Sequence, residues 1–264
     1  VADDPGMHSS QNEQDSRYHA IASKILMLEP SDSGECKEFV KQAFDLSEKY
    51  DTPVIVRMST RVAHSQSSVE LCEREEKELK NYEKNPQKYV MMPAFAKKRH
   101  VVVEERMKQL AEFAEISELN KTEINSSKTG IITSGISYQY AKEVFGDTVS
   151  YLKLGIVNPL PEKLIKDFAA ECDEIYVIEE LEDIIETKCD RLGIKVKGKE
   201  LFGYIGELSQ AIIAEKILGK KQETESFGED IPVRPPVMCA GCPHRGLFYS
   251  LSKLKVNVMG DIGC

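Results

Sequence analysis

Two cysteines three positions apart are the most specific chemical signal in the sequence. Cys239 and Cys242 lie in the segment CAGCPHRG, residues 239–246. Two thiolates at this spacing can bind one metal ion or one face of an iron–sulfur cluster, and Gly241 allows the loop to curl around it. A structural zinc knuckle and a redox dithiol are the alternatives that the spacing leaves open.

His244 and Cys264 are the nearby residues that could add ligands to such a site. Cys264 lies 22 residues after Cys242, and the pattern between them predicts a helix over residues 247–254 and a strand over residues 256–259. A chain that turns back in this way could return Cys264 to the first two cysteines. A thioredoxin-like dithiol would instead follow a strand within a β–α–β unit, whereas this pair follows a linker that contains three prolines.

A short glycine motif follows the expected strand. Residues 260–263 read Gly-Asp-Ile-Gly, and glycines at the end of a strand can let backbone N–H groups approach a phosphate. A plain tight turn fits the same four residues. The motif therefore leaves both a phosphate-binding loop and a turn open.

The N-terminal segment is polar throughout. Residues 1–19 read VADDPGMHSSQNEQDSRYH, show neither helical nor strand periodicity, and are dense in Asp, Ser, Asn and Gln. This composition predicts a long polar loop. Ordered loops of this length are more often functional than merely connecting.

Arg57 and Arg61 lie where a buried strand is expected to end. Residues 53–56, Pro-Val-Ile-Val, are typical of such a strand. In open parallel sheets, ligands bind at the carboxyl ends of the strands. The two arginines could hold an anionic group there. Glu179 and Glu180 follow another expected strand, either as a pair of site carboxylates or as the exposed start of a helix.

The distribution of apolar residues predicts an α/β fold. After Gly130, helices alternate with strands that we place at residues 131–133, 149–154 and 175–178, with a further short strand at 194–196. Such alternation is typical of parallel sheets with helices on both faces. Before this region, ten of the eighteen residues from Leu71 to Lys88 are charged, which indicates a surface linker.

Composition narrows the class of protein. The 264 residues are 41% apolar and 30% charged, as in a globular chain of about two domains. A net charge of −9 without a basic patch argues against a nucleic-acid partner. The longest uncharged stretch, thirteen residues from Thr129 to Ala141, is shorter than the ~20 that cross a membrane. Seven irregularly spaced cysteines do not fit a secreted disulfide framework, so we expect a reducing, cytoplasmic compartment.

Five segments taken together resemble a known family. The sequence resembles the alpha subunits of indolepyruvate ferredoxin oxidoreductases, in the thiamine-diphosphate-dependent 2-oxoacid:ferredoxin oxidoreductase family, over nearly its whole length. The segments are DDPGMHSSQNEQDSR (3–17), KLGIVNPLPEKL (153–164), VIEEL (177–181), CAGCPHRG (239–246) and GDIGC (260–264).

The resemblance implies an order of domains. Residues 1–70 would be the end of a pyrimidine-binding domain for thiamine diphosphate, and residues 71–127 a charged linker and connecting helix. A transketolase C-terminal-like domain would span residues 128–222. Residues 223–264 would be a linker and the start of a pyrophosphate-binding domain. We therefore expect an internal part of a longer subunit, without the activating glutamate and without the motif that binds the diphosphate and its Mg²⁺.

The resemblance also implies the chemistry. In this family thiamine diphosphate attacks the 2-oxo group, carbon dioxide leaves, iron–sulfur clusters accept electrons singly, and coenzyme A takes the acyl group. Cys239, Cys242 and Cys264 match three thiolates that hold a [4Fe–4S] cluster. His244 and Cys264 match positions that contact thiamine diphosphate, and Gly260 and Asp261 belong to the same expected cofactor loop.

The resemblance places the N-terminal loop at the cofactor cleft. The expected polar contacts to substrate or cofactor are His8, Ser9, Ser10, Gln11 and Arg17, together with Arg57 and Arg61. A solvated surface loop is the alternative for residues 1–19.

The implied function is part of an oxidoreductase that decarboxylates arylpyruvates to acyl-CoA. Its partners would be a smaller beta subunit, ferredoxin, coenzyme A and the 2-oxoacid, and the chain would be inactive alone. A pyruvate or 2-oxoglutarate oxidoreductase is the alternative among enzymes. A non-catalytic zinc-knuckle or docking module is the alternative of another class, which the cysteine pair alone would allow.

Overall fold

The computed structural model describes residues 1–8, 10–77, 81–221, 228 and 238–260. By compactness the chain divides into two units, residues 1–222 and residues 223–264. The helices and strands of the described residues are, in chain order, β1 (Ala2–Asp3), α1 (Arg17–Ser23), β2 (Leu26–Leu28), α2 (Ser33–Tyr50), β3 (Val54–Val56), β4 (Met58–Ser59), α3 (Thr60–His64), α4 (Pro86–Tyr89), α5 (Pro93–Ile116), β5 (Lys121–Glu123), β6 (Thr129–Ser134), α6 (Ile136–Phe145), β7 (Ser150–Leu154), β8 (Ile156–Asn158), α7 (Glu162–Ala170), β9 (Glu174–Ile178), α8 (Ile184–Arg191), α9 (Lys199–Phe202), α10 (Gln210–Leu218) and α11 (His244–Leu254).

The largest sheet of the first unit has the strand order β5-β7-β6-β9. β6 pairs in parallel with both β7 and β9, whereas β5 pairs antiparallel with β7 at the edge. Alternate residues of β6 enter separate cores because successive strand side chains point to opposite faces. Ile132 packs with Ile165 of α7 and Ile185 of α8, and Ile131 packs with Ala141 of α6 and Ile213 of α10. The predicted α/β class, with helices on both faces of a mostly parallel sheet, is confirmed.

A second sheet contains two strands from the N-terminal part of the first unit and one strand that directly follows the larger sheet in the chain. Its order is β3-β2-β8, with β2 and β3 parallel and β2 and β8 antiparallel. Because β8 follows β7 after a single residue, Gly155, the chain passes from one sheet into the other. α2 and α5 cover this sheet through a core that includes Leu26, Phe39 and Leu110.

Several expectations need correction. The segment 1–19 is not loop throughout: Ala2–Asp3 pairs in parallel with Met58–Ser59, and Arg17 begins a helix. Among the described residues 256–259 no strand forms, and the strand expected at 194–196 is reduced to one bridge between Tyr176 and Lys197. The proposed domain boundaries stay predictions.

Helix ends follow the polar signals of the sequence. Asp32 caps α2 by accepting from the backbone N–H of Glu35 at 2.8 Å, and Ser209 caps α10 through the N–H of Ile212. Pro86 begins the short helix α4, in agreement with the preference of proline for the first helical turn. No helix among the described residues is long and apolar enough to cross a membrane.

Gly155 is required where the chain changes sheets. A Cβ atom at this position would lie 2.2 Å from the backbone oxygen of Leu119. The side-chain oxygen of Asn120 accepts from the N–H groups of Gly155 and Ile156, both at 2.9 Å. The carbonyl of Gly155 accepts from the N–H of Glu29 at 2.8 Å. The backbone on both sides is therefore fixed and cannot yield to a side chain.

We expect Gly155→Ala to lower the free energy of unfolding by about 1–3 kcal/mol, the usual cost of overpacking a fixed site. Urea titration followed by circular dichroism measures the change. Gly246→Ala is the matched control, because a Cβ atom there meets nothing within 4 Å. Equal stability of the two variants would show that the crossing between the sheets is not closely packed.

Candidate functional site

Charged residues converge at the carboxyl edge of the first unit. Asp3 ends β1, Glu29 follows β2, Arg57 follows β3 and Glu179 follows β9. All four are at most 7% exposed. β2 and β3 pair in parallel, so their carboxyl ends lie side by side. β1 and β9 belong to the two other sheets, and ion pairs of Asp3 and Glu179 with buried arginines bring their ends to the same place.

Arg57 joins three strand ends. Its Nε donates to Oδ2 of Asp3 at 2.6 Å, and its Nη1 donates to Oε1 of Glu29. Nη2 lies 3.8 Å from Oδ1 of Asp15. Burial alone would lower the pKa of Arg57, but the carboxylates, Glu29 foremost, outweigh burial and raise it. Arg57 is thus a charged and fully engaged centre of the edge.

Arg17 forms the second centre. Its Nε lies 3.0 Å from both oxygens of Asp15, and its Nη1 donates to Oε2 of Glu179 at 2.5 Å. Nη2 donates to the carbonyls of Glu180 and Glu182 at 3.0 and 2.8 Å. Burial would raise the pKa of Asp15, but Arg17 dominates and holds it at about 2.

Glu179 also caps a helix. Its carboxylate accepts from the N–H groups of Ile185 and Glu186 in the first turn of α8, at 3.0 to 3.1 Å. Burial nevertheless raises the pKa of Glu179, against the opposing effect of Arg17. The structure therefore contradicts the exposed helix start that was one interpretation of this position.

Glu180 has a different environment from its neighbour. Its Oε1 accepts from the backbone N–H of Leu208 at 2.9 Å. Burial raises the pKa of Glu180 to about 7, with Glu29 and Glu207 adding to the effect and Arg57 opposing it. Glu180 is therefore a buried carboxyl group that titrates near neutral pH.

A second cluster is open to solvent. Glu207 accepts from Nε of Arg61 at 2.8 Å and from its Nη2, and Nε2 of His8 lies 3.1 Å from Oε2. The hydrogen bonds from Arg61 hold the pKa of Glu207 at about 2, with His8 adding to the effect against burial. Three segments distant in sequence, the N-terminal loop, α3 and the loop before α10, meet at this carboxylate.

The carboxylate of Asp4 ties the N-terminal loop to the edge. The N–H of Ser10 donates to Oδ2 of Asp4 at 3.1 Å, and Thr60 donates to Oδ1 of Asp4 at 2.9 Å. A cavity of about 260 Å³ opens between the first residues of the chain and this loop, with Ser10 and His19 among its walls. Gln11 is exposed.

The predicted loop contacts therefore separate into groups. Arg17 and Arg57 are buried in ion pairs, Arg61 and His8 meet at Glu207, and Ser10 lines the cavity. Ser9 lies outside the described residues. The proposed roles of these residues toward substrate stay predictions.

Sequence reasoning missed Glu29 and Glu207. Glu29 directly follows an apolar strand, the same signal that pointed to Arg57, and could have been found by it. Its Oε2, like Oγ of Ser59, is buried without a hydrogen-bond partner among the described residues. Glu207 lies in an irregular loop, and nothing local marks it.

The cysteine pair lies on a tight turn of the second unit. The N–H of Cys242 donates to the carbonyl of Cys239 at 3.1 Å, and Gly241 adopts a φ of +76°. Nη2 of Arg245 donates to the carbonyls of Met238 and Cys239 at 2.7 and 3.1 Å, which fixes the start of the turn. His244 begins α11 directly after it.

This turn fits one half of a cluster site and not a whole one. Within residues 238–260, Cys239 and Cys242 are the thiols, fewer than the four ligands that a [4Fe–4S] cluster takes. No group of three metal-ligating side chains occurs in the part of the chain that the structure describes. Cys264 and Asp261 lie outside that part, and Gly260 is its last residue.

The titration of Glu180 leads to a stability prediction. Because its pKa is raised, Glu180 stabilises the folded state at pH values below about 4.5, the ordinary pKa of this group in the unfolded chain. This stabilisation is lost as the pH rises through about 7. We expect Glu180→Gln to be free of this loss, so that its stability relative to wild type rises by on the order of 3 kcal/mol between pH 4.5 and pH 8.

Urea titrations at pH 4.5, 6 and 8 measure this difference. Glu215→Gln, the same change at an exposed position of α10, is the control and should follow the wild type. A Glu180→Gln variant with the pH dependence of the wild type would contradict a neutral Glu180.

Comparison with known proteins finds a matching family model and a solved structure of similar fold. Residues 2–129 match a family model described as "Pyruvate flavodoxin/ferredoxin oxidoreductase, thiamine diP-bdg". The fold is similar to that of a solved structure, 2-oxoglutarate:ferredoxin oxidoreductase from Magnetococcus marinus with 2-oxoglutarate, coenzyme A and succinyl-CoA bound. The TM-score is 0.52 at 16% identity, covering 74% of this chain and 42% of that chain.

Curated relatives match along the whole chain. "Indolepyruvate oxidoreductase subunit IorA" is 35% identical in Archaeoglobus fulgidus over 292 aligned positions, 37% in Methanothermobacter marburgensis over 291, and 37% in Pyrococcus horikoshii over 296. Each match covers 100% of this chain and 46 to 47% of the relative. The chain belongs to the family of indolepyruvate oxidoreductase alpha subunits and spans about half the length of the curated relatives that it matches.

Proposed function

We propose that this chain is part of an alpha subunit that oxidatively decarboxylates arylpyruvates, indolepyruvate foremost, to acyl-CoA and passes the electrons to ferredoxin. The observation that carries the proposal is the match at 35 to 37% identity to relatives named indolepyruvate oxidoreductase subunit, because it covers every residue of this chain. It includes both the N-terminal loop and the cysteine turn.

The cofactors belong to the same proposal. Thiamine diphosphate with Mg²⁺ supplies the carbanion for decarboxylation when it is bound. The support is a family model described as thiamine diphosphate-binding over residues 2–129 and a carboxyl edge held rigid by Arg17 and Arg57. His244, Gly260, Asp261 and Cys264 would contact the cofactor.

The cysteine turn is assigned to electron transfer. Cys239 and Cys242 would hold one face of a [4Fe–4S] cluster, with Cys264 and a further thiolate completing the set. All six cysteines of the described residues are free, which suits a reducing, cytoplasmic setting in which thiolates persist. The partners in the proposal are the smaller beta subunit, ferredoxin, coenzyme A and the 2-oxoacid.

Turnover by the intact subunit with its smaller partner tests the substrate. We expect ferredoxin reduction that depends on coenzyme A, with kcat/KM for indolepyruvate and phenylpyruvate at least tenfold above that for pyruvate and 2-oxoglutarate, a preference of about 1.4 kcal/mol. Faster turnover of pyruvate would transfer the assignment to a pyruvate oxidoreductase, which the description of the matching family model also names.

Iron content tests the cluster. In the intact subunit reconstituted anaerobically with iron and sulfide, we expect Cys242→Ser to lose most of the bound iron and the absorbance of the cluster, because a serine oxygen is a poor ligand for it. Cys72→Ser is the matched control, since Cys72 is exposed and lies outside the turn. Unchanged iron in Cys242→Ser, or stoichiometric zinc in the wild type, would return the motif to a zinc knuckle.

A further inference from the structure

We propose that Arg61 and His8 form a binding site for a small organic carboxylate with an apolar group, and that Glu207 fills this site as an internal substitute for the ligand. The ligand must displace the Glu207 side chain to bind. Naming the ligand as a 2-oxoacid with an aryl group rests on the proposed function; the carboxylate site itself does not.

The geometry around Glu207 is that of a bound carboxylate. Arg61 donates from Nε to Oε2 at 2.8 Å and from Nη2 to Oε1, the two-pronged arrangement by which a guanidinium recognises a carboxylate. His8 Nε2 lies 3.1 Å from the same Oε2. An external carboxylate placed on these nitrogens would find the same donors.

Glu207 can leave without opening the protein. The side chains of Arg61 and His8 are 52% and 44% exposed, so solvent reaches the cationic groups directly. Exposed ion pairs contribute little to stability, and breaking this one has a small cost. The backbone beyond it is anchored separately, because the N–H of Leu208 is bound to the buried Glu180. Only the Glu207 side chain therefore has to move.

The surrounding loop suits a ligand with an apolar group. Tyr204 and Ile205, two to three residues before Glu207, are 50% and 91% exposed. Gly203 and Gly206 flank them with φ angles of +73° and +84°, and no atom lies within 4 Å of a Cβ at either. The side chains of Tyr204 and Ile205 present apolar surface on the loop that carries Glu207. The N–H of Gly206 donates to Oε1 of Glu13 at 3.0 Å, so this loop stays in place when the Glu207 side chain leaves.

The buried arginines do not offer such a site. Arg17 and Arg57 are at most 3% exposed, and both are held by carboxylates in the interior. Displacing one of those carboxylates would leave a charge buried without a partner, which is costly. Of the arginines at this edge in the described residues, Arg61 is the one that is itself exposed, and its partner Glu207 is only partly buried and can be exchanged.

Ligand binding without turnover tests the proposal. Phenylpyruvate is titrated calorimetrically into the intact subunit from which thiamine diphosphate has been removed, in the absence of coenzyme A and ferredoxin. We expect Glu207→Gln to bind it about two- to fivefold more tightly than wild type, because the competing internal carboxylate is gone and an exposed ion pair competes only weakly. Arg61→Ala should abolish the binding in both backgrounds, and 2-phenylethanol, which lacks the carboxylate, should not bind. Glu215→Gln should match the wild type.

The alternative is that Glu207 only clamps the loop to α3. In that case Glu207→Gln would bind phenylpyruvate as wild type does or more weakly, and either result overturns the proposal. Arg61→Lys keeps the charge and removes the two-pronged contact, so binding equal to wild type in this variant would also overturn it. If Glu207→Gln binds more tightly but the enzyme does not turn over arylpyruvates, the proposed function alone fails.

Discussion

A buried guanidinium organises the carboxyl edge of this protein. Arg57 binds carboxylates that follow or end two other strands, so its position fixes β1, β2 and β3 relative to one another. A cation so placed is stable only while its partners stay charged and close. Asp3 also binds a second residue, because its Oδ2 accepts from the N–H and the hydroxyl of Ser16 at 3.0 and 2.8 Å. The N-terminal loop is thereby fixed to the same centre.

The network extends from Arg57 into the larger sheet. Asp15 lies between the two arginines, 3.8 Å from Arg57 and 2.6 Å from Arg17, and Arg17 continues to Glu179 at the end of β9. The crossing at Gly155 joins the same two sheets through the backbone. Ion pairs at the strand ends and hydrogen bonds at the crossing therefore fix the position of one sheet relative to the other. The N-terminal loop is connected to both sheets and depends on this fixed position.

The fold could be predicted from the sequence further than the site could. The alternation of apolar runs with capped helices predicts β6, α6, β7, α7 and β9, because each depends on neighbours along the chain. The departure of β8 into another sheet could not be predicted, since it depends on the fit of Gly155 against Leu119 and Asn120.

The site residues divide in the same way. Cys239 and Cys242 are visible as a motif, and Arg57 and Arg61 as residues at a strand end. Their partners are not visible, because Arg17 meets Glu179 across 162 positions and Arg61 meets Glu207 across 146. Ion pairing over such separations is set by the tertiary fold alone. A local pattern can identify an arginine at an edge but cannot tell a buried structural one from an exposed one that binds.

Glu180 connects the buried network with the exposed cluster. As consecutive residues at the end of β9, Glu179 and Glu180 have different partners: one pairs with Arg17, and the other binds the N–H of Leu208 beside Glu207. The charge on Glu207 is among the causes that raise the pKa of Glu180. An external carboxylate that replaces Glu207 on Arg61 brings the same charge to the same place. The exchange therefore keeps a negative charge on Arg61 in the neighbourhood of Glu180, while the displaced Glu207 side chain carries its own charge into solvent, where water and salt screen it.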